Sequence, residues 1–400
     1  MNDSQHSSQD PQAAEKTSLR ELAFLFLRLG TTAFGGPAAH IAIMEDEFVR
    51  RRRWITREKF LDLLGVVNLI PGPNSTEMAI HIGYLRAGWR GLAVAGTCFI
   101  LPAMIMVMAI AWAYVRYGSL PQVTGLLYGV KPVVIVIVAR ALWGLGRTAL
   151  KTSFLALIGI LIMAASFLGA DPLVLLLVAG AAAGIRKGLI RDRPIRLRSI
   201  LLMLIFVSIL LALIAISKNT SNLAEVPFSL HSLFLYFLKV GSVLYGSGYV
   251  LLAFLQTDLV NHWHWLSAGQ LLDATAVGQV TPGPVFTTAT FIGYLLGNWP
   301  GALIATAGIF LPAFAFIALS GPITARVRQS PLANAFLDGV NVASLALMAV
   351  VTWFLAKAAI VDFTTILLAV AGGILLLRYR INSAWLVLGG AIAGIIAQAI

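Results

Sequence analysis

Cysteine is almost absent from these 400 residues: Cys98 stands alone in an apolar stretch, which excludes an intrachain disulfide and a cysteine-rich metal site. Charge is scarce as well. Only 12% of the residues are charged against 59% hydrophobic, and the mean hydropathy is +0.87, so the chain has too little polar surface to cover a soluble core. Enzyme signatures are missing: there is no His-Glu-x-x-His, no aspartate-rich metal motif, no phosphate-binding loop and no Gly-x-Ser-x-Gly. No catalytic residue, metal or cofactor is therefore expected, and any work must draw on a gradient or on a separate ATPase subunit. Met1 to Ser18 lacks an apolar core, so it reads as a polar disordered tail and not as a cleavable signal.

What is present is apolar sequence in runs of about 17–25 residues, the length that crosses a hydrocarbon core at ~1.5 Å per residue. These runs describe an all-α polytopic membrane protein, with the lipid bilayer as its surroundings. The net charge of +12 raises the question of nucleic acid. The basic residues, however, sit in short loops between apolar runs, where the positive-inside rule places them, and nucleic acid is not expected as a partner. The same cations draw anions toward the cytoplasmic mouths, an attraction that salt weakens.

The chain repeats itself. Gly30, Gly35, Trp54, Asp62, Pro71, Gly72 and Pro73 recur as Gly241, Gly246, Trp265, Asp273, Pro282, Gly283 and Pro284; one residue is then lost, and Gly83, Gly91, Pro102 and Gly129 recur as Gly293, Gly301, Pro312 and Gly339. The expected division is a tail at 1–18, an N-terminal transporter repeat at 19–197, a linker span with an external loop at 198–228, and a C-terminal transporter repeat at 229–400.

Charge orients the two copies. The loop Glu45 to Lys59 carries Arg50, Arg51, Arg52, Arg53, Arg57 and Lys59, whereas its counterpart Gln256 to Gln270 has no Lys or Arg. The first loop reads cytoplasmic and the second external, which makes the halves an inverted repeat. Inversion needs an odd number of crossings between the loops. Candidate spans at 91–115, 122–146, 152–169, 172–186 and 198–217 supply it, followed by 299–320, 332–356, 361–377 and 383–400. The count works when 20–48, 60–86, 230–256 and 271–296 enter and return on one side. The alternative, in which 20–43 and 230–255 cross fully, fits hydropathy equally and charge less well.

Each half centres on an apolar stretch broken by Pro-Gly-Pro, from Val66 to Gly83 and from Val277 to Gly293. Two prolines remove backbone donors and stop a helix, so each stretch is expected to be broken or re-entrant at Pro71, Gly72 and Pro73 and at Pro282, Gly283 and Pro284. Further breaks are expected at Gly35, Gly36 and Pro37 and at Gly246 and Gly248. Matched breaks in two halves are the best sequence pointer to a transporter's binding site. Asn74, Ser75 and Thr76 follow the first break, and Thr287 and Thr288 follow the second. Helix N-termini with neutral donors suit a tetrahedral oxyanion. Those residues also serve as plain caps, and Asn74 with Glu77 matches a capping box. Asn68 and Gln279, just ahead of the breaks, join the candidate substrate contacts.

Charged groups at membrane depth are candidates by default. Arg28 and Lys239 are equivalent cations, and Lys131 faces the neutral Asn341 as its counterpart, so all three are candidates for substrate charge; for Arg28 and Lys239, pairing with a nearby carboxylate is the competing reading. Asp62, Asp273, Glu77 and His81 are candidates for moving protons. A membrane enzyme or lipid-handling protein is the alternative of a different class, and would need a metal or nucleophile cluster.

Phe34-Gly35-Gly36-Pro37 with His40, Asn68-Leu69-Ile70-Pro71-Gly72-Pro73-Asn74 with Glu77, and Gly83-Tyr84 resemble the N-terminal half of the chromate transporter family. Tyr245-Gly246-Ser247-Gly248-Tyr249-Val250, Gly278 to Val285, and Phe310-Leu311-Pro312 resemble its C-terminal half, in the order of the long two-domain form. The resemblance implies a multi-pass protein of the bacterial inner membrane that exports chromate and so gives chromate resistance, with sulfate as a competing analogue. The residues alone reach a gradient-driven anion carrier and leave chromate, sulfate uptake and exchange open. A homodimer is compatible with each.

Overall fold

The computed structural model describes residues 17–33, 36–118, 120–190, 226–245, 250–319, 330–379 and 383–399. Gly35, Gly246, Gly248 and the expected span 198–217 lie outside the described residues.

Among the described residues every regular element is helical. The first half contains α1 (Leu19–Thr32), α2 (Gly36–Glu45, running on through a wider π-helical turn, Asp46–Arg51), α3 (Arg57–Val67), α4 (Asn74–Tyr117), α5 (Pro121–Ala149), α6 (Ser153–Phe167) and α7 (Pro172–Ile190). The second contains α8 (Leu230–Val243), α9 (Leu251–Phe254, running on through Leu255–His262), α10 (Ala268–Val280), α11 (Thr288–Leu319, entered through a tight turn at Val285–Thr287), α12 (Pro331–Ala359), α13 (Phe363–Arg378) and α14 (Ser383–Ala399). Each helix of the first half has its counterpart in the second. The starting signals correspond too: Ser18 and Ser229 cap α1 and α8, Thr56 and Ser267 cap α3 and α10, and Thr152 and Asp362 cap α6 and α13. Pro121 and Pro331, with no N–H to lose, open α5 and α12.

The long helix α4 is two arms. Ala87 and Gly88 leave helical geometry, with Gly88 at φ +60°, and the chain folds back so that Gly83 lies against the carbonyl of Gly91. In a straight helix those residues would stand about 12 Å apart. Gly297 and Asn298 make the same fold in α11 and bring Gly293 onto Gly301, where any Cβ would collide with the facing backbone. Each fold separates a short arm, which begins after Pro-Gly-Pro, from a long one; the first long arm, Trp89–Tyr117, extends about 43 Å.

Contacts at the hairpin bases give the path of the chain. Arg52 reaches Glu21 at 2.6 Å, so α2 returns to the end from which α1 left. Arg86, closing the short arm, donates to Thr17 at 2.8 Å and lies over the Trp54 ring, so α3 and the short arm also return to that end. In the second half, Trp265 donates to the Val226 carbonyl at 2.9 Å and stacks edgewise on Phe228, and Gly297 sits beside Phe228 and Leu230. The hairpins are therefore re-entrant. The full-crossing alternative for 20–43 is not the path taken.

The long arm of α4 starts beside the first base and ends with Tyr114 against Phe291 and Asp273, inside the second re-entrant hairpin. About a quarter of the way along, its Gly96 packs on Phe314 of α11. The two sets of hairpins thus open toward opposite ends of one membrane-length helix, which is the inverted arrangement.

Among the described residues four helices, α4, α5, α11 with its entering turn, and α12, are long and apolar enough to cross a bilayer. The outer helices exchange partners between halves: Gly125 and Gly129 of α5 lie against Gly390 and Gly394 of α14, and Gly339 of α12 lies against Ala179 and Ala183 of α7. Small residues let these backbones approach where lipid supplies no hydrophobic drive for helices to associate.

Candidate functional site

Both Pro-Gly-Pro turns end at the middle of the molecule, and each is completed by the other half. Prolines carry no N–H, so glycine is the only backbone donor in each tripeptide. Gly72 donates to the Leu244 carbonyl at the end of α8 (2.8 Å), and Gly283 donates to the Ala33 carbonyl at the end of α1 (3.0 Å). Backbone at membrane depth must be paired inside the protein, and here the pairing is reciprocal. Gly72 has φ +142° and Gly283 φ +90°. His40 adds a second bond to the Ala33 carbonyl at 3.0 Å, with its Nε2 as the donor.

The first turn of each short arm faces this centre. Pro73 and Pro284 stand at the N-cap positions and offer no side-chain cap. The Pro73 carbonyl accepts from Thr76 and Glu77, which leaves the N–H groups of Asn74 and Ser75 without an intrahelical acceptor. Val285 and Phe286 stand in the same position in the second half. The Asn74-to-Glu77 capping box does not form, because Asn74 is already inside the helix and the Glu77 carboxyl caps nothing.

The structure brings some of the sequence candidates together and leaves others apart. The Asn74 amide donates to Asn68 Oδ1 at 2.7 Å, joining the two ends of the first break. Ser75, Thr76, Thr287 and Thr288 are buried beside the two turns. Thr287 and Thr288 already donate to the carbonyls of Pro284 and Val285, so only their lone pairs remain, whereas the Thr76 hydroxyl has no partner among the described residues. Gln279 lies half-buried near the end of α10.

The cations behave differently. Arg28 binds Glu47 at 2.8 Å, and its equivalent Lys239 approaches Asp258 at 3.7 Å. Both pairs tie the first helix of a repeat to the second, below the turns; the competing reading of these cations is the one the geometry follows, since their charge is taken up before any substrate arrives. Lys131 sits 3.1 Å from Asp273, which also accepts from Tyr114 at 2.9 Å. Asp62, the counterpart of Asp273, is exposed, and so is Asn341, the counterpart of Lys131. A buried cluster in one half thus corresponds to exposed positions in the other. His81 is half-buried one turn beyond Glu77.

Sequence reasoning missed Glu47, Asp258 and Tyr114. Glu47 and Asp258 were within reach, because they recur at the same spacing as Arg28 and Lys239. Tyr114 carried no signal: it meets Asp273 only because the long arms cross.

A family model described as "Chromate transporter" matches residues 20–185 and again residues 231–395. The chain is 34% identical over 382 residues to a chromate transport protein of Cupriavidus metallidurans, covering 95% of this chain and 93% of that one. It is 30% identical over 351 residues to a probable chromate transport protein of Synechococcus elongatus, covering 88% of each. An uncharacterized transporter of Bacillus subtilis, YwrA, is 28% identical over 130 residues, which is 72% of that protein and 32% of this chain. No solved structure matches.

Proposed function

The chain belongs to the chromate transporter family, and on that premise we propose that it exports chromate from the cytoplasm across a bacterial inner membrane as a gradient-driven secondary carrier, so giving chromate resistance. The observation that carries this reading is the reciprocal closure of two opposed broken hairpins at Gly72–Leu244 and Gly283–Ala33. Opening one contact frees a glycine N–H and a helix N-terminus to one side of the membrane, and opening the other does so to the opposite side. That is the geometry alternating access requires.

A tetrahedral dianion entering between the turns meets the free N–H groups of Asn74, Ser75, Val285 and Phe286. The Asn68–Asn74 amide pair, Ser75 and Thr76 offer further donors, and Thr287 and Thr288 are in reach once their carbonyl bonds give way. Neutral donors and partial helix charges hold an anion without a fixed countercharge, so it can also leave. Lys131 gives its charge to Asp273 in this state and is freed only if that cluster opens.

Cells expressing the protein are expected to accumulate less labelled chromate than control cells, and Asn74→Ala should abolish the difference while the protein still inserts. Greater accumulation than in the controls would instead mean uptake.

A further inference from the structure

We infer that the Glu77 carboxyl takes up and releases a proton as the first Pro-Gly-Pro turn closes and opens, and that this turn closes only over its neutral form. The inference rests on the carrier reading above and adds a proton-gated step to it.

Glu77 is 0% exposed, and neither of its carboxyl oxygens has a hydrogen-bond partner among the described residues. The side chain folds back over the turn, and Oε1 fills the space where a Cβ on Gly72 would stand. Gly72 is also the residue whose N–H closes on Leu244, so the carboxyl and the closing contact meet at one glycine. The titratable groups near it are Tyr245, which follows Leu244 in the opposing half, and His81 one turn along α4, which lies toward Lys59. Neither bonds to it, and no cation pairs with it among the described residues. A carboxylate buried without donor or cation is strongly disfavoured against its protonated form, so the contact at Gly72 closes over the neutral carboxyl.

When the turn opens, water reaches the carboxyl and its O–H bond breaks, passing the proton to that water; closing again requires a proton from the compartment then in contact. Only this one O–H bond forms and breaks. A dianion beside the open turn favours the protonated carboxyl, since a bare carboxylate repels it. Closing the turn over a loaded anion therefore takes a proton from the side to which that turn opens, and the same side receives it back when the turn next opens. The second turn has hydroxyls at the matching positions, Thr287 and Thr288, so the proton belongs to one of the two turns.

The test uses the full-length protein in liposomes, with labelled chromate outside and a valinomycin-clamped potential. Entry should rise by up to about tenfold per unit of external acidification, the limit for a single proton. In Glu77→Gln that slope should vanish, because the amide mimics the neutral carboxyl at every pH; a merely structural lesion lowers flux at all pH values and leaves the slope. A slope that persists in Glu77→Gln, as it would if the proton rode on the anion, overturns the inference. Infrared difference spectra of Glu77→Gln against wild type provide a readout that needs no flux. A protonated-carboxyl band present at neutral pH in wild type and lost in the variant supports the assignment, and its absence from wild type overturns it. Wild-type protein that moves no chromate yet shows the band would sink the carrier reading and leave the proton site standing.

Discussion

The two Pro-Gly-Pro turns share a backbone and differ in what fills them. Around Gly72 the space is occupied by the Glu77 carboxyl, and the neighbouring Asn74 amide bridges to Asn68. Around Gly283 it is occupied by Ala103 Cβ, and the neighbouring Thr287 and Thr288 hydroxyls are bound to their own turn. The aspartates vary in the opposite sense: Asp273 of the second half is locked by Lys131 and Tyr114, while Asp62 of the first is exposed. Backbone geometry is what alternating access needs to be symmetric, since each turn must be able to do what the other does. Side-chain chemistry is free to diverge, and a carrier with identical halves would have no preferred direction of regulation or coupling.

The comparison can be broken at several strengths. The all-or-none case is orientation: with Cys98 replaced by serine, single cysteines at the matched positions Arg51 and His262 should label from opposite sides of the membrane with an impermeant maleimide. Labelling from one side would remove the inversion. Next is the shared backbone, where Gly72→Ala and Gly283→Ala should each lower chromate flux more than about tenfold, because the left-handed backbone alone costs ~1–3 kcal/mol and tenfold in rate corresponds to ~1.4 kcal/mol. A loss from only one of them would show that the two turns are not equivalent in the cycle.

The aspartates come third. Asp273→Asn strands the Lys131 ammonium, and at 24% exposure solvent screens part of the charge, so a loss of ~1–3 kcal/mol in detergent stability is expected. Lys131→Met combined with Asp273→Asn should recover part of it, and Asp62→Asn should change little. The smallest effect belongs to Arg28→Ala: its side chain is 46% exposed and Glu47 keeps its bond to Arg52, so the pair should contribute less than about 1 kcal/mol, read as a small shift in melting temperature with transport retained.

Much of the fold was legible because the signals involved are local. Two prolines around a glycine remove two donors within three residues, so Pro71 with Pro73 and Pro282 with Pro284 mark breaks, whereas the single prolines Pro102 and Pro312 are carried inside α4 and α11; the recurrence of the paired breaks with Trp54 and Trp265 marks the repeat. Arg50 to Arg53 orient the first half by their number alone. The candidate site was only partly legible. Asn68 and Asn74 were named for chemistry and turned out to touch, but Arg28 and Lys239 were named for charge and turned out to be neutralised by Glu47 and Asp258. A charge in a sequence does not reveal its partner, which is set by how helices return on one another.

By itself the sequence determined the membrane setting, the duplication, the opposed halves and the positions of the breaks, because hydropathy, loop charge and missing N–H groups act within a few residues. Only the tertiary structure decided that each turn is closed by a carbonyl of the other half, that Tyr114 crosses the molecule to reach Asp273, and that Glu77 lies buried over Gly72 without a partner among the described residues. Those facts depend on where distant segments meet, and burial removes the water that would otherwise have made each of those groups indifferent to its neighbours.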